Sequence, residues 1–354
     1  MMLEGVRVLD FTQYLPGPYA TQRLADLGAE VIKVEPPNGD PARQMADGLV
    51  YEANNRGKKS IAVDLKVTAK VNELSEILQT VDVVIESFRP GVMKRIGLHY
   101  DEVKKIKRDI VYCSLSGFGQ SGTHAHLGSH DLNYQGLSGL LSQHLDGNGR
   151  PVQPTFTTVD YGGGIVASER ISAALFQRER TGNGCYLDLA LNDVPLTMMG
   201  THALYHLKKN KQDGPDFIDG SVVCYGLYET KDRRFVSLAA LEPHFWKNFC
   251  HGVGKVEWLP HAFSPVKSDL HEEINVLFKE RTMAEWTSFG ESHDCCLFPV
   301  LNVEEVMDHS YGPERGLVRR GEQVHIVTNP NAVGQSAPLL GQDKIDTFKK
   351  ERDQ

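Results

Sequence analysis

Val6-Arg7-Val8-Leu9-Asp10-Phe11, then Ala20, Leu24 and Leu27 at helical spacing, then Ala29-Glu30-Val31-Ile32-Lys33-Val34-Glu35: this opening stretch decides the fold. The first run alternates as a half-buried strand does. Leu15-Pro16-Gly17-Pro18 reads as a turn, Gly28 closes the helix, and Pro36-Pro37 stops the second strand. Together they make a βαβ unit. Four more strand-like runs follow, at residues 60–65, 81–86, 110–115 and 185–191, with helical patterns between them. Strands alternating with helices predict an α/β fold built on a Rossmann-like parallel sheet. Glu35 stands where a dinucleotide-binding unit places its ribose-binding acid. The turn before the helix has one glycine where that fingerprint needs three, so NAD binding is not expected.

At 354 residues the chain is long enough for about two domains, at roughly 150 residues each. The texture changes near residue 210. We expect a large domain over 1–200, completed by about 315–354, a linker at 201–220, and a smaller α+β domain at 221–310. The small domain should open on a hairpin of residues 222–229 and 234–239. The net charge of −8 argues against nucleic acid as the main partner. No run of about 18 apolar residues is present, so no membrane span is expected. The N-terminus enters a strand at once and does not read as a signal peptide. Six cysteines with no Cys-x-x-Cys pair read as reduced thiols, which points to the cytoplasm.

The chemistry concentrates in two segments. Thr157-Thr158-Val159-Asp160-Tyr161-Gly162-Gly163-Gly164 sets a carboxylate at the start of a helix expected over 161–178. Three glycines in a first helical turn each cost about 1 kcal/mol against alanine, so a helix or a ligand must approach closely there. Thirty residues upstream lies Ser129-His130-Asp131-Leu132-Asn133-Tyr134. Asp131 is suited either to fixing one tautomer of His130 or to capping its own helix. A histidine and a carboxylate of raised pKa are the equipment for moving protons near neutral pH. A carboxylate alone is also equipped to attack an acyl group. The amides near Asp160 and Tyr161 are the expected donors to a developing oxyanion. His124, His126 and His130 are too loosely spaced for a zinc motif, and no metal is expected. Glu242, between a strand and a helix, reads on its own as a cap.

These blocks occur in the order seen in the CaiB/BaiF family, the family III CoA-transferases, and the chain resembles that family over nearly its whole length. The resemblance is carried by Leu15-Pro16-Gly17-Pro18-Tyr19-Ala20 and by residues 24–35. It continues through Asn55-Arg56-Gly57-Lys58-Lys59-Ser60, Phe88-Arg89-Pro90-Gly91, Ser116-Gly117-Phe118-Gly119-Gln120 and the Asp160 segment. It implies a CoA-binding large domain and an interlocked homodimer. The site would lie between the large domain of one subunit and the small domain of the other. It also implies a CoA thioester as substrate, with no covalently bound cofactor. In the transferases of the family the aspartate matching Asp160 is a nucleophile. In the α-methylacyl-CoA racemases it is one base of a pair whose other member is a histidine followed by aspartate, here His130-Asp131, and a small-domain glutamate matches Glu242. The sequence therefore resembles the racemase branch. Transfer of CoA between acids and non-catalytic acyl-CoA binding are the alternatives. Arg89, Lys58, Arg56 and Lys59 are the candidate contacts to CoA phosphates. Ser129 and Pro36 stand where many members have Gly and Arg.

Overall fold

Strands β1 (Arg7–Phe11), β2 (Glu30–Glu35), β3 (Lys59–Ala62), β4 (Val83–Glu86), β5 (Val111–Ser116) and β6 (Cys185–Ala190) form one parallel sheet. Their order is β3-β2-β1-β4-β5-β6 in the computed structural model, which describes residues 1–212, 214–320, 324–332 and 335–349. Alternate residues face opposite sides. Val8, Val31, Val83, Ile85 and Val111 pack with Leu24, Ile171 and Leu175 on one face. Leu9, Ile32, Val84 and Tyr112 pack with Leu74, Ile77 and Leu78 on the other. Cover on both faces is why the inner strands read as nearly continuous apolar runs. The order reverses between β1 and β4. The loops leaving their carboxyl ends therefore diverge and open a crevice, the general ligand position of open α/β sheets.

Two helices bear on the site. The first, Pro16–Asp26, begins at the residues expected to form a turn. Proline fits the first helical turn because its missing N–H would have no partner there. The second runs from Thr158 to Thr181 and ends on Gly182 in the left-handed conformation, φ 70°. The two helices pack on each other, and this contact accounts for Gly164, while Leu191 accounts for Gly163. A Cβ on Gly164 would stand 2.8 Å from the Pro16 carbonyl oxygen and 2.8 Å from Tyr19 Cδ1, and one on Gly163 would overlap Leu191 Cδ2. The close approach is by protein, not by ligand. Gly164→Ala should cost roughly 1–3 kcal/mol of overpacking, more than the ~1 kcal/mol gained in helix propensity. At Gly162 a Cβ meets only Val194 Cγ1, at 3.2 Å. Denaturant unfolding should therefore show Gly164→Ala clearly destabilised and Gly162→Ala near wild type.

The chain divides into two compact units, Met1–Met199 with Ser310–Gln354, and Gly200–His309. In the first unit, residues near the C-terminus return to the β3 edge, where Asp343 Oδ2 accepts from Ser60 N–H at 3.0 Å. Residues 321–323, 333–334 and 350–354 of the expected completing segment lie outside the described residues, as does Asp213 of the expected linker. The start of that linker is instead a helix, Gly200–Lys209, in which Ala203, Leu204 and Leu207 repeat at helical spacing. In the second unit β7 (Tyr225–Glu229) and β8 (Phe235–Ala239) pair antiparallel, and β8 also pairs with β9 (Leu297–Pro299). Helices carrying Trp246, Phe249, Phe278 and Trp286 fill its core.

Candidate active site

The Asp131 carboxylate organises the site. One oxygen, Oδ2, accepts from the backbone N–H groups of Val159 at 2.6 Å and Asp160 at 3.0 Å. The other, Oδ1, accepts from Gln135 Nε2. Asp131 is buried, so these bonds are its compensation for lost water. It thus caps a helix 28 residues further on, where the sequence reading had it serving His130 or its own helix. Such a cap holds the first turn, and with it Asp160, in place. The same bonds correct another expectation. The amides of Val159 and Asp160 are taken by Asp131, and that of Tyr161 donates to the Thr157 carbonyl at 3.2 Å. None of the three is a free donor for an oxyanion.

Asp160 is partly buried, and its pKa is raised to about 7, first by burial and then by the neighbouring Asp131 charge. Both causes disfavour the ionised form. The following Tyr161 is fixed by rings, stacked on Phe156 at 5.2 Å and edge-on to Tyr19 at 4.8 Å. Asp131→Ala would strand two helix amides and remove one of the two causes. We expect a loss of roughly 1–3 kcal/mol in stability, and a pH–rate midpoint moved below that of the wild type, because the like charge is gone while burial remains.

His130 stands at the N-cap of the Asp131–Leu137 helix, its backbone N–H donating to Asn133 Oδ1 at 3.0 Å. Ser129 Oγ donates to the Tyr134 hydroxyl oxygen at 2.8 Å. A Cβ on Gly117 would lie 2.7 Å from both of those oxygens, which gives the bare Ser116-Gly117-Phe118-Gly119 stretch a packing role. Within the motif Asp131, Asn133 and Tyr134 are thus used structurally, and the His130 side chain is exposed.

The four basic candidates separate. Lys58 is fully buried: its Nζ lies 3.3 Å from Asp10 Oδ2 and donates to Pro18 O, Thr21 Oγ1 and Asn55 Oδ1. It is the counter-ion of a buried strand carboxylate rather than part of a surface patch. Burial pushes its pKa down to about 7, with Asp10 opposing. Arg56 is buried as well, with Nη2 on the Ile326 carbonyl at 3.0 Å and 3.9 Å from Asp26. Lys59 and Arg89 are exposed. A Cβ on Gly128 would meet Arg89 Nη2 at 2.9 Å, so this guanidinium lies over the loop that leads into His130. Glu35 accepts two bonds from Arg43 at 2.7 Å and one from Ser60 Oγ at 2.6 Å. The cation beside the acidic end of β2 is therefore Arg43, not residue 36, and it is committed to Glu35.

Sequence reasoning missed Glu86. It is buried at the end of β4, accepts from Phe88 N–H at 2.8 Å, and so holds the turn that carries Arg89. Burial raises its pKa to about 7. Its only signal was a carboxylate closing an apolar strand. In the second unit Glu242 occupies the N-cap position of the Pro243–Gly252 helix, yet its carboxylate makes no capping bond and is exposed.

Residues 3–344 match the model of CoA-transferase family III. The chain belongs to that family. It is 32% identical to the human α-methylacyl-CoA racemase, with 98% of this chain and 90% of the relative covered. It is 33% identical to the human succinyl-CoA:glutarate CoA-transferase, with 98% and 85% covered. Among solved structures, a hypothetical protein of Mycobacterium tuberculosis superposes with a TM-score of 0.85 at 28% identity, covering 98% of both chains. A CaiB/BaiF family protein of Brucella suis gives 0.82 at 25% identity, covering 96% of both. Among the described residues no helix is long and apolar enough to cross a membrane.

Proposed function

We propose that this family III chain is a 2-methylacyl-CoA racemase in which His130 and Asp160 exchange the α-proton of a CoA thioester. The observation that carries the reading is the shared mounting of the two groups. Asp131 directly follows His130 and binds the backbone of Asp160, whose carboxyl sits near pKa 7. A carboxyl with that pKa both accepts and returns a proton at neutral pH, which racemisation requires of each base. One base removes the α-proton as the electrons delocalise into the thioester carbonyl. The other protonates the opposite face, and proton count and charge balance over the cycle. Arg89 and Lys59 are the exposed cations offered to the CoA phosphates.

The second reading, transfer of CoA between acids, is favoured by the equal likeness to a CoA-transferase, 33% against 32%. There Asp160 would attack the thioester carbonyl as a nucleophile. Hydroxylamine separates the two. A transferase incubated with acyl-CoA and hydroxylamine loses activity as its acylated aspartate becomes a hydroxamate. The racemase reading expects activity to survive.

The working form in this reading is an interlocked homodimer in the cytoplasm, with Glu242 supplied by a second copy. Support comes from the exposed apolar side chains Leu137, Phe156, Phe176, Met198 and Leu207, which a second copy would cover. The exposed, uncommitted carboxylate of Glu242 supports it too. Light scattering should give about twice 39.4 kDa at micromolar concentration. An active species of one chain's mass would remove the dimer from the proposal.

A further inference from the structure

Tyr14 lies between β1 and the Pro16–Asp26 helix, at the carboxyl end of the sheet where the strand order reverses. Its backbone is left-handed, φ 67°, a conformation that a bulky residue adopts only when its surroundings impose it. The imposing contacts are present. Tyr14 N–H donates to Asp40 Oδ1 at 3.1 Å, and buried Asp40 is paired through Oδ2 with Lys33 Nζ at 2.9 Å. Lys33 also donates to the Thr12 carbonyl at 2.8 Å. Just before Tyr14, Gln13 N–H donates to Ser87 Oγ at 3.0 Å. The chain is clamped around Tyr14 and its side chain stands outward, 51% exposed. Among the described residues neither its ring nor its hydroxyl has a partner. Glycine would take this backbone freely; here an aromatic ring is held in water at a strained position instead.

Arg89 follows Ser87 by two residues and is exposed too. The Gln13–Ser87 bond therefore ties together the two turns that carry an outward ring and an outward guanidinium. Backbone strain of this kind collects at ligand clamps. An exposed planar ring and an exposed forked cation carried on two tied turns match a ligand made of a planar base and phosphates. We propose that Tyr14 is a ligand-binding residue whose ring stacks on the purine of the CoA thioester while Arg89 takes its phosphates. This rests on the acyl-CoA reading above.

The test is calorimetric titration of the full chain with CoA and with adenosine 3′,5′-bisphosphate, alongside melting temperatures. Tyr14→Gly should weaken both ligands at least about fivefold, the lower range for loss of one base–aromatic stack. Its melting temperature should not fall, because relief of the left-handed strain offsets the added freedom of the unfolded chain. Tyr14→Leu, which keeps bulk without a ring, should weaken binding likewise, and Tyr14→Phe should bind as the wild type does. Wild-type affinity in Tyr14→Gly and Tyr14→Leu would overturn the inference, and so would a Tyr14→Phe variant as weak as they are. A wild-type chain that binds neither ligand would instead overturn the acyl-CoA reading on which the inference stands.

Discussion

Asp160→Asn should lower racemisation, and α-proton exchange of the enantiomer whose α-proton faces Asp160, by at least about a hundredfold, the usual scale for loss of a general base, while leaving the protein folded. Asparagine keeps the shape of the side chain and cannot carry the proton. In the wild type, exchange should rise with pH through about 7 as the Asp160 carboxyl ionises. The same group has a stability signature of definite sign. Its pKa is raised on folding from 3.8 to about 7, so between those values the native state holds a proton that the unfolded chain releases. Its contribution to stability is complete below about pH 4 and is lost as pH rises to 7. Asp160→Asn should therefore melt higher than the wild type at pH 8 and lose that advantage at pH 4. Glu86, raised to about 7 by burial, contributes a fall of the same sign in an overlapping window. The variant should thus flatten part of the wild-type pH dependence and leave the rest. Urea titrations at the two pH values check the pattern. An Asn variant with normal exchange of both enantiomers would remove Asp160 from the chemistry.

His130→Ala should lower racemisation by a similar factor, at least about a hundredfold, with a different signature. The imidazole is exposed, so the melting temperature should stay close to that of the wild type. Asp160 remains mounted on Asp131 in this variant. Solvent deuterium should then still enter the enantiomer whose α-proton faces Asp160, while inversion stops because no second base completes it. In Asp160→Asn the preference should switch to the other enantiomer. If His130→Ala inverts normally, or moves CoA to a free acid at the wild-type rate, the transferase reading takes its place.

The layers of the fold were legible because they are local. Val6–Phe11 and Ala29–Glu35 state strand, stop and return within one βαβ unit, and the four later apolar runs repeat the pattern. The third strand of the second unit, Leu297–Pro299, is too short to carry a period. Asp160 was legible as a carboxylate at a helix start, and the need for a raised pKa followed from the need for a base near neutrality. What surrounds it was hidden, because the decisive pairings are distant in sequence. Asp131 reaches 28 residues to the Asp160 helix, and Lys58 reaches 48 residues to Asp10. The three glycines announced a close approach, yet only the folded packing shows that Pro16, Tyr19 and Leu191 occupy the space. In the Asn55–Lys59 run the basic residues gave no sign of which were buried. A strand carboxylate at Asp10 created the demand for one of them, and one-dimensional periodicity does not carry that demand.

Proton exchange at the α-carbon is the centre of the proposed chemistry, and it is directly visible. A single enantiomer of a 2-methylacyl-CoA is incubated with the wild-type chain in D2O, with no acceptor acid present, and followed by proton NMR. The expected result is loss of the α-proton signal in step with inversion at that carbon, at a constant total of thioester. An α-proton signal that persists, with turnover appearing only after a free carboxylic acid is added, would contradict racemisation and establish transfer.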